Sequence, residues 1–119
     1  MEPSPIEIRL RKQSRLLSLV YDDQEQFDLS FEYLRVHSPS AQVRGHGPGQ
    51  EILQTGKENV CITEIEPVGH YAIRLVFDDG HDTGLYTWKH LYELGRDYAT
   101  RWQAYLDRLE AAGYARNAH

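Results

Sequence analysis

Residues 34–47 read Leu-Arg-Val-His-Ser-Pro-Ser-Ala-Gln-Val-Arg-Gly-His-Gly, gathering the imidazoles of His37 and His46, the hydroxyls of Ser38 and Ser40, and the guanidiniums of Arg35 and Arg44. An arginine pairs a carboxylate or phosphate through two parallel hydrogen bonds, and polar side chains on a loop carried by a rigid scaffold often form a binding surface. The alternative is a solvated connection whose glycines serve only backbone freedom. Further along, Asp78-Asp79-Gly80-His81-Asp82 offers carboxylate and imidazole ligands to a metal. The same residues suit a tight turn, where Asp tolerates left-handed backbone and Gly adopts it freely. Cys61 is the single cysteine. It could act with a histidine as a nucleophile, but it sits in an alternating apolar stretch, which favours a buried structural thiol.

Signatures of catalysis are missing from the sequence. It has no nucleophile elbow, no glycine-rich phosphate loop followed by lysine, no His-Glu-x-x-His and no Cys-x-x-Cys. The expectation is a protein that is not an enzyme.

Elements that could hold these groups in place follow from periodicity. Residues 6–10 alternate apolar and charged side chains, and residues 16–21 resume after a polar turn, so the two make a hairpin. Residues 26–29 form a third short strand, followed by one helical turn capped by Ser30. Three glycines and two prolines within residues 38–50 exclude a long regular element there. Residues 61–65 alternate again, and Pro67-Val68-Gly69 punctuates. Residues 70–77 form the clearest strand, with Tyr71, Ile73, Leu75 and Phe77 on one face; residues 83–86 return as its partner. Thr87 caps a helix carrying Trp88, Leu91 and Tyr92, which Gly95 breaks. A second helix sets Tyr98, Trp102, Leu106 and Leu109 on one stripe and stops at Gly113. The aromatic residues of both helices are expected in the core, and residues 114–119 are expected to fray. The fold class expected is α+β, with small antiparallel β-sheets built from hairpins and a C-terminal helical pair, in one domain spanning residues 1–119.

Bulk properties narrow the function. Of 119 residues, 40% are hydrophobic, enough for one packed core. A formal charge of -5 repels phosphate backbones, so nucleic acid is not an expected partner. A lone cysteine cannot form an intrachain disulfide, and no signal-peptide pattern or long apolar run is present, so the chain is expected in the cytoplasm and away from membranes.

Two separated motifs carry a resemblance. Leu34-Arg35 precedes Ser38-Pro39-Ser40-Ala41 and Val43-Arg44-Gly45-His46; later, Asp79-Gly80-His81 precedes Thr83-Gly84, Tyr86 and Trp88. In this order they resemble the gamma-butyrobetaine hydroxylase-like N-terminal domain family, whose stand-alone bacterial members were long labelled a domain of unknown function. In the hydroxylases, the resemblance implies a zinc site of three cysteines and one histidine. Those cysteine positions fall here on Ser38, Ser40 and Val43, and the histidine on His81. Hydroxyls are poor zinc ligands beside thiolates, and valine offers no donor. The expectation is therefore a clip of hydrogen bonds among Ser38, Ser40 and His81 in place of a metal, with no cofactor beyond a weakly bound metal at His81.

The iron and 2-oxoglutarate chemistry of the hydroxylases belongs to a separate barrel, and this chain has no His-x-Asp, so that activity is not carried over. A similar domain accompanies P-loop ATPases that carry iron-sulfur clusters, which implies, as the alternative, a metal-binding accessory protein in iron or iron-sulfur metabolism. The first reading is a non-catalytic binding or adaptor domain using His37, Ser38, Ser40, Arg44, His46 and His81, with a protein or a small anion as its partner.

Overall fold

Alternating residues and tight turns build two antiparallel meanders in the computed structural model, which describes residues 3–45 and 52–116. The first contains β1 (Pro5–Arg11), β2 (Leu16–Tyr21) and β3 (Gln26–Ser30) in the order β1-β2-β3; the second contains β4 (Ile62–Val68), β5 (Ala72–Phe77) and β6 (Leu85–Thr87) in the order β4-β5-β6. Between them lie α1 (Phe31–Val36) and the single turn α2 (Ala41–Arg44), and the chain continues into α3 (Trp88–Arg96) and α4 (Tyr98–Ala111). The α+β class and the helical pair are as the sequence indicates. No helix among the described residues is long and apolar enough to cross a membrane.

Each meander turns one face inward. Leu17, Leu19 and Tyr21 from β2, and Ile73, Leu75 and Phe77 from β5, meet Phe31, Leu34, Leu91 and Leu94 in one cluster. Three buried tyrosines stitch the layers through their hydroxyls. Tyr21 donates to the Trp88 carbonyl at 2.8 Å, Tyr33 to that of Leu94 at 2.6 Å, and Tyr86 to that of Leu34 at 2.6 Å. Each satisfied hydroxyl lets a large aromatic ring enter the core without an orphaned polar atom.

Several boundaries differ from expectation for identifiable reasons. Tyr71 is 58% exposed and precedes β5, so the buried face starts later. Pro67 does not end β4, because β4 is an edge strand and needs no N–H at that position. Cys61 lies just before β4 and is half-buried, not sealed in a strand; its N–H donates to Asp78 Oδ1 at 3.0 Å. β6 begins at Leu85 because Thr83 is engaged elsewhere. Residues 114–116 do not fray: Tyr114 donates to the Glu58 carboxylate, while Arg116 pairs with the buried Glu32 and lies 5.2 Å over the Trp102 ring.

Gly95 does not break α3, which runs on to Arg96. A Cβ there would sit well inside the 3.0 Å that real Cβ atoms keep from other heavy atoms, against the Phe27 ring. Glycine is thus needed for the close approach of helix to strand. Gly95→Ala is expected to destabilise the fold by about 2 kcal/mol through overpacking, despite alanine's better helix propensity. Equilibrium unfolding in denaturant checks this, and a stabilised variant would contradict it.

Candidate functional site

α1 starts where the Ser30 hydroxyl accepts the Tyr33 N–H at 3.1 Å, and it is buried along its whole length, charged residues included. Arg35 leaves its last turn and donates from Nε to Asp79 Oδ2 at 2.9 Å and from Nη1 to Gln54 Oε1 at 3.2 Å; Lys57 reaches the same Asp79 oxygen at 2.7 Å. Burial raises the pKa of Asp79, but the Lys57 ammonium, the His81 N–H and Arg35 outweigh it and hold the carboxyl below the usual range. The β5–β6 turn is thereby tied to α1, and His81 is aimed at the loop that follows α1.

There Ser38 and His81 meet, 1% and 3% exposed respectively. The Ser38 hydroxyl and His81 Nε2 are 2.8 Å apart, and His81 Nδ1 lies 3.0 Å from Gln42 Oε1. With the Gln42 amide oxygen facing Nδ1, the matching tautomer carries its hydrogen on Nδ1 and accepts from the serine at Nε2. Burial holds the ring's pKa below its ordinary value, helped by the charges of Arg35 and Lys57 against Asp79 and Asp82, so it stays neutral and suited to this pattern. Ser38 Oγ accepts the Ser40 N–H at 3.2 Å, and the Ser40 and Thr83 hydroxyls bond at 2.7 Å. A Cβ on Gly84 would stand 2.5 Å from Ser38 Oγ, so a glycine lets the two segments close on each other.

Ser38, His81 and Gln42 repeat the order of nucleophile, base and orienting group found in hydrolases. Ser38 and His81 are buried, and the trio ties the α1–α2 loop to the β5–β6 turn. These residues do not suit zinc. Val43 has no donor, Ser38 and Ser40 offer hydroxyls already hydrogen-bonded, and both ring nitrogens of His81 are engaged. Among the described residues no group of three or more His, Cys, Asp or Glu is placed to hold a metal ion.

The six residues expected in one surface therefore divide. Ser38, Ser40 and His81 form the clip. His37 and Arg44 face a cleft of about 250 Å³ between the loop and α4, which Ser38 also borders. His46 lies outside the described residues. His37 donates from Nδ1 to the Tyr33 carbonyl at 3.0 Å and packs against the Tyr33 and Tyr105 rings. Burial pushes its pKa down to about 4, opposed by the bond to Tyr33 and reinforced by Arg101, His90 and Arg108.

Gln42, His90, Arg101 and Arg108 are not evident from the motifs. His90 donates from Nε2 to the His37 carbonyl at 3.2 Å, and its pKa too is lowered, chiefly by burial. Arg101, Ala104, Tyr105 and Arg108 have helical spacing, which marks a face of α4 beside the Trp102 stripe.

Fold and site together define a small α+β module with its loop fastened by hydrogen bonds and a basic cleft beside the fastening. The chain belongs to the gamma-butyrobetaine hydroxylase-like, N-terminal family, whose sequence profile matches residues 8–92. It is similar to a protein of known NMR solution structure with 52% identity over 96% of this chain and 85% of the other (TM-score 0.81). A second NMR structure shares 47% identity over 100% of this chain and 94% of the other (TM-score 0.84). A crystal structure of a protein of unknown function from Acidithiobacillus ferrooxidans, in the DUF971 family, shares 43% identity over 76% of this chain and 91% of the other (TM-score 0.65). No curated protein matches the chain.

Proposed function

We propose that this chain is a non-catalytic, cytoplasmic binding module whose working face is the basic cleft between the α1–α2 loop and α4. The observation that carries this reading is the arrangement of Arg44, Arg101 and Arg108 around one concavity, in a chain whose formal charge is -5. Cationic side chains bordering one concavity make its potential complementary to an anionic partner. The clip supplies the rigidity that a binding loop requires, because it fixes the segment leading to Arg44 against the β5–β6 turn. The partner is a small anion or an acidic group on a protein.

Arg44 is exposed, so charge reversal leaves the core untouched. Arg44→Glu is expected to reduce the recovery of co-purifying species in native mass spectra by about tenfold, with an unchanged circular dichroism spectrum. Undiminished recovery with an intact fold would remove the cleft from consideration.

A further inference from the structure

We propose that the outer edge of β1 is a docking strand for a short extended peptide of a partner protein, acidic at alternate positions, which adds to the first sheet beside residues 7–11. This surface shares no lining residue with the cleft. β1 stands at the end of the order β1-β2-β3 and pairs only with β2 among the described residues. The backbone N–H and C=O groups on its far side form the kind of edge that an extended peptide completes by main-chain hydrogen bonds. The register to β2 shifts between Pro5 and Glu7 and then runs without interruption from Glu7 to Arg11. The bulge ends the usable edge on one side and the hairpin turn ends it on the other, which leaves a ladder of about 17 Å for the added strand.

Alternation decides which side chains such a strand meets. Glu7, Arg9 and Arg11 are exposed on the outer face, opposite Val20, Ser18 and Leu16; Ile8 and Leu10 are half-buried on the core face, opposite Leu19 and Leu17. A peptide running antiparallel to β1 with acidic and apolar residues in turn sets one carboxylate beside Arg11 and another beside Arg9, while its apolar residues extend the rim formed by Leu10 and Ile8. From Ile8 to Tyr21 the sequence contains no Asp or Glu, yet Arg9, Arg11, Lys12 and Arg15 fall close together in a chain whose formal charge is -5. No hydrogen bond or ion pair engages the side chain of Arg11 or Lys12 among the described residues. Arg9 has Glu7 at 3.4 Å, an exposed contact that contributes little. On the same row Asp28 lies two strands away and accepts the Ser18 hydroxyl at 2.6 Å.

The turn that presents these cations is anchored. Arg15 takes left-handed backbone at φ 55°, its carbonyl accepts the Phe31 N–H at 3.0 Å, and its Nη1 donates to Asn59 Oδ1 at 3.1 Å. A partner strand meets an edge already ordered, which lowers the entropic cost of docking. A shallow concavity of about 570 Å³, lined by residues 9–14, gives room for its side chains. A second copy of this chain matches the edge less well, because it brings its own Arg9 and Arg11 against the same two cations with a single Glu7 to offset them. Nucleic acid and anionic membranes present charge over a far larger surface than this edge, and so meet the negative charge of the rest of the chain.

The test is an NMR titration of the full chain at pH 7 with the end-capped peptide Glu-Val-Glu-Val-Thr, its neutral counterpart Gln-Val-Gln-Val-Thr, a single-stranded oligonucleotide and anionic lipid vesicles, combined with amide hydrogen exchange along β1. The acidic peptide is expected to shift the β1 signals saturably, about tenfold more tightly than the neutral one, and to slow exchange at alternate amides of residues 7–11. Arg11→Glu changes an exposed side chain and is expected to weaken the acidic peptide about tenfold with the remaining spectrum unchanged. Shifts that do not saturate, equal affinity for the two peptides, or an affinity unchanged in Arg11→Glu would overturn the proposal. Shifts without slowed exchange would overturn strand addition. Tighter binding of the oligonucleotide or the vesicles would overturn the peptide assignment, and self-association that Arg11→Glu abolishes would give the edge to a second copy instead.

Discussion

His81→Ala is expected to destabilise the protein by about 3 kcal/mol, lowering its thermal midpoint by about 10 °C. The imidazole is 3% exposed and engages two partners, Ser38 through Nε2 and Gln42 through Nδ1. Removing it leaves both partners without their bond and opens a cavity where β5, the following turn and the loop converge. Ser38→Ala is the milder companion, because it deletes one hydroxyl and leaves Nε2 unsatisfied; about 1.5 kcal/mol is expected. Thermal unfolding by circular dichroism measures both. A loss below about 0.5 kcal/mol for His81→Ala would show that the network holds nothing together. Since the clip sets the path of the chain into α2, the same variant is also expected to weaken any ligand contact made by Arg44.

Acid is expected to unfold the protein well above the pH at which its carboxylates titrate. His37 has an ordinary value of 6.5 when unfolded and about 4 when folded, mainly because burial disfavours the imidazolium. Between those values the unfolded chain binds a proton that the native chain does not, so stability declines as pH falls from 6.5 toward 4, by about 3 kcal/mol for this residue alone. His81 and His90 shift in the same direction, each chiefly through burial, and add to the same loss. Asp79 reinforces the trend only at lower pH, because its folded pKa is held below 3.8. Denaturant unfolding at pH 7.5, 6, 5 and 4.5 should show a midpoint that drops steadily below pH 6.5. A flat profile down to pH 5 would mean that these rings are solvated when folded.

Much of the scaffold was legible because short-range rules govern it. Alternation along β1, β2 and β5, with polar turns between them, marked the hairpins, and Ser30 and Thr87 announced the helices they cap. Where the reading failed, the decisive partner was distant in sequence. Gly95 looks like a stop until Phe27 is seen lying against it. Residues 114–116 look like a tail until Arg116 is seen to pair with Glu32, 84 positions away.

The site divided along the same line. Ser38, Ser40 and His81 could be linked through two motifs, and the structure brings them together. His37 belongs to the cleft instead, because α1 presents it to Tyr105 of α4. Arg101 and Arg108 carry helical spacing, but so do the residues of the neighbouring stripe. Only the packing of α4 beside the α1–α2 loop decides which face lines the cleft.

The most direct test of the fastening is the pair of ring ¹⁵N shifts of His81 at pH 7, recorded on untagged protein before and after EDTA. A neutral ring protonated at Nδ1, with both shifts unchanged by the chelator, is expected when serine and glutamine hold it. Shifts that move on chelation would contradict the hydrogen-bonded clip and return the segment to a metal.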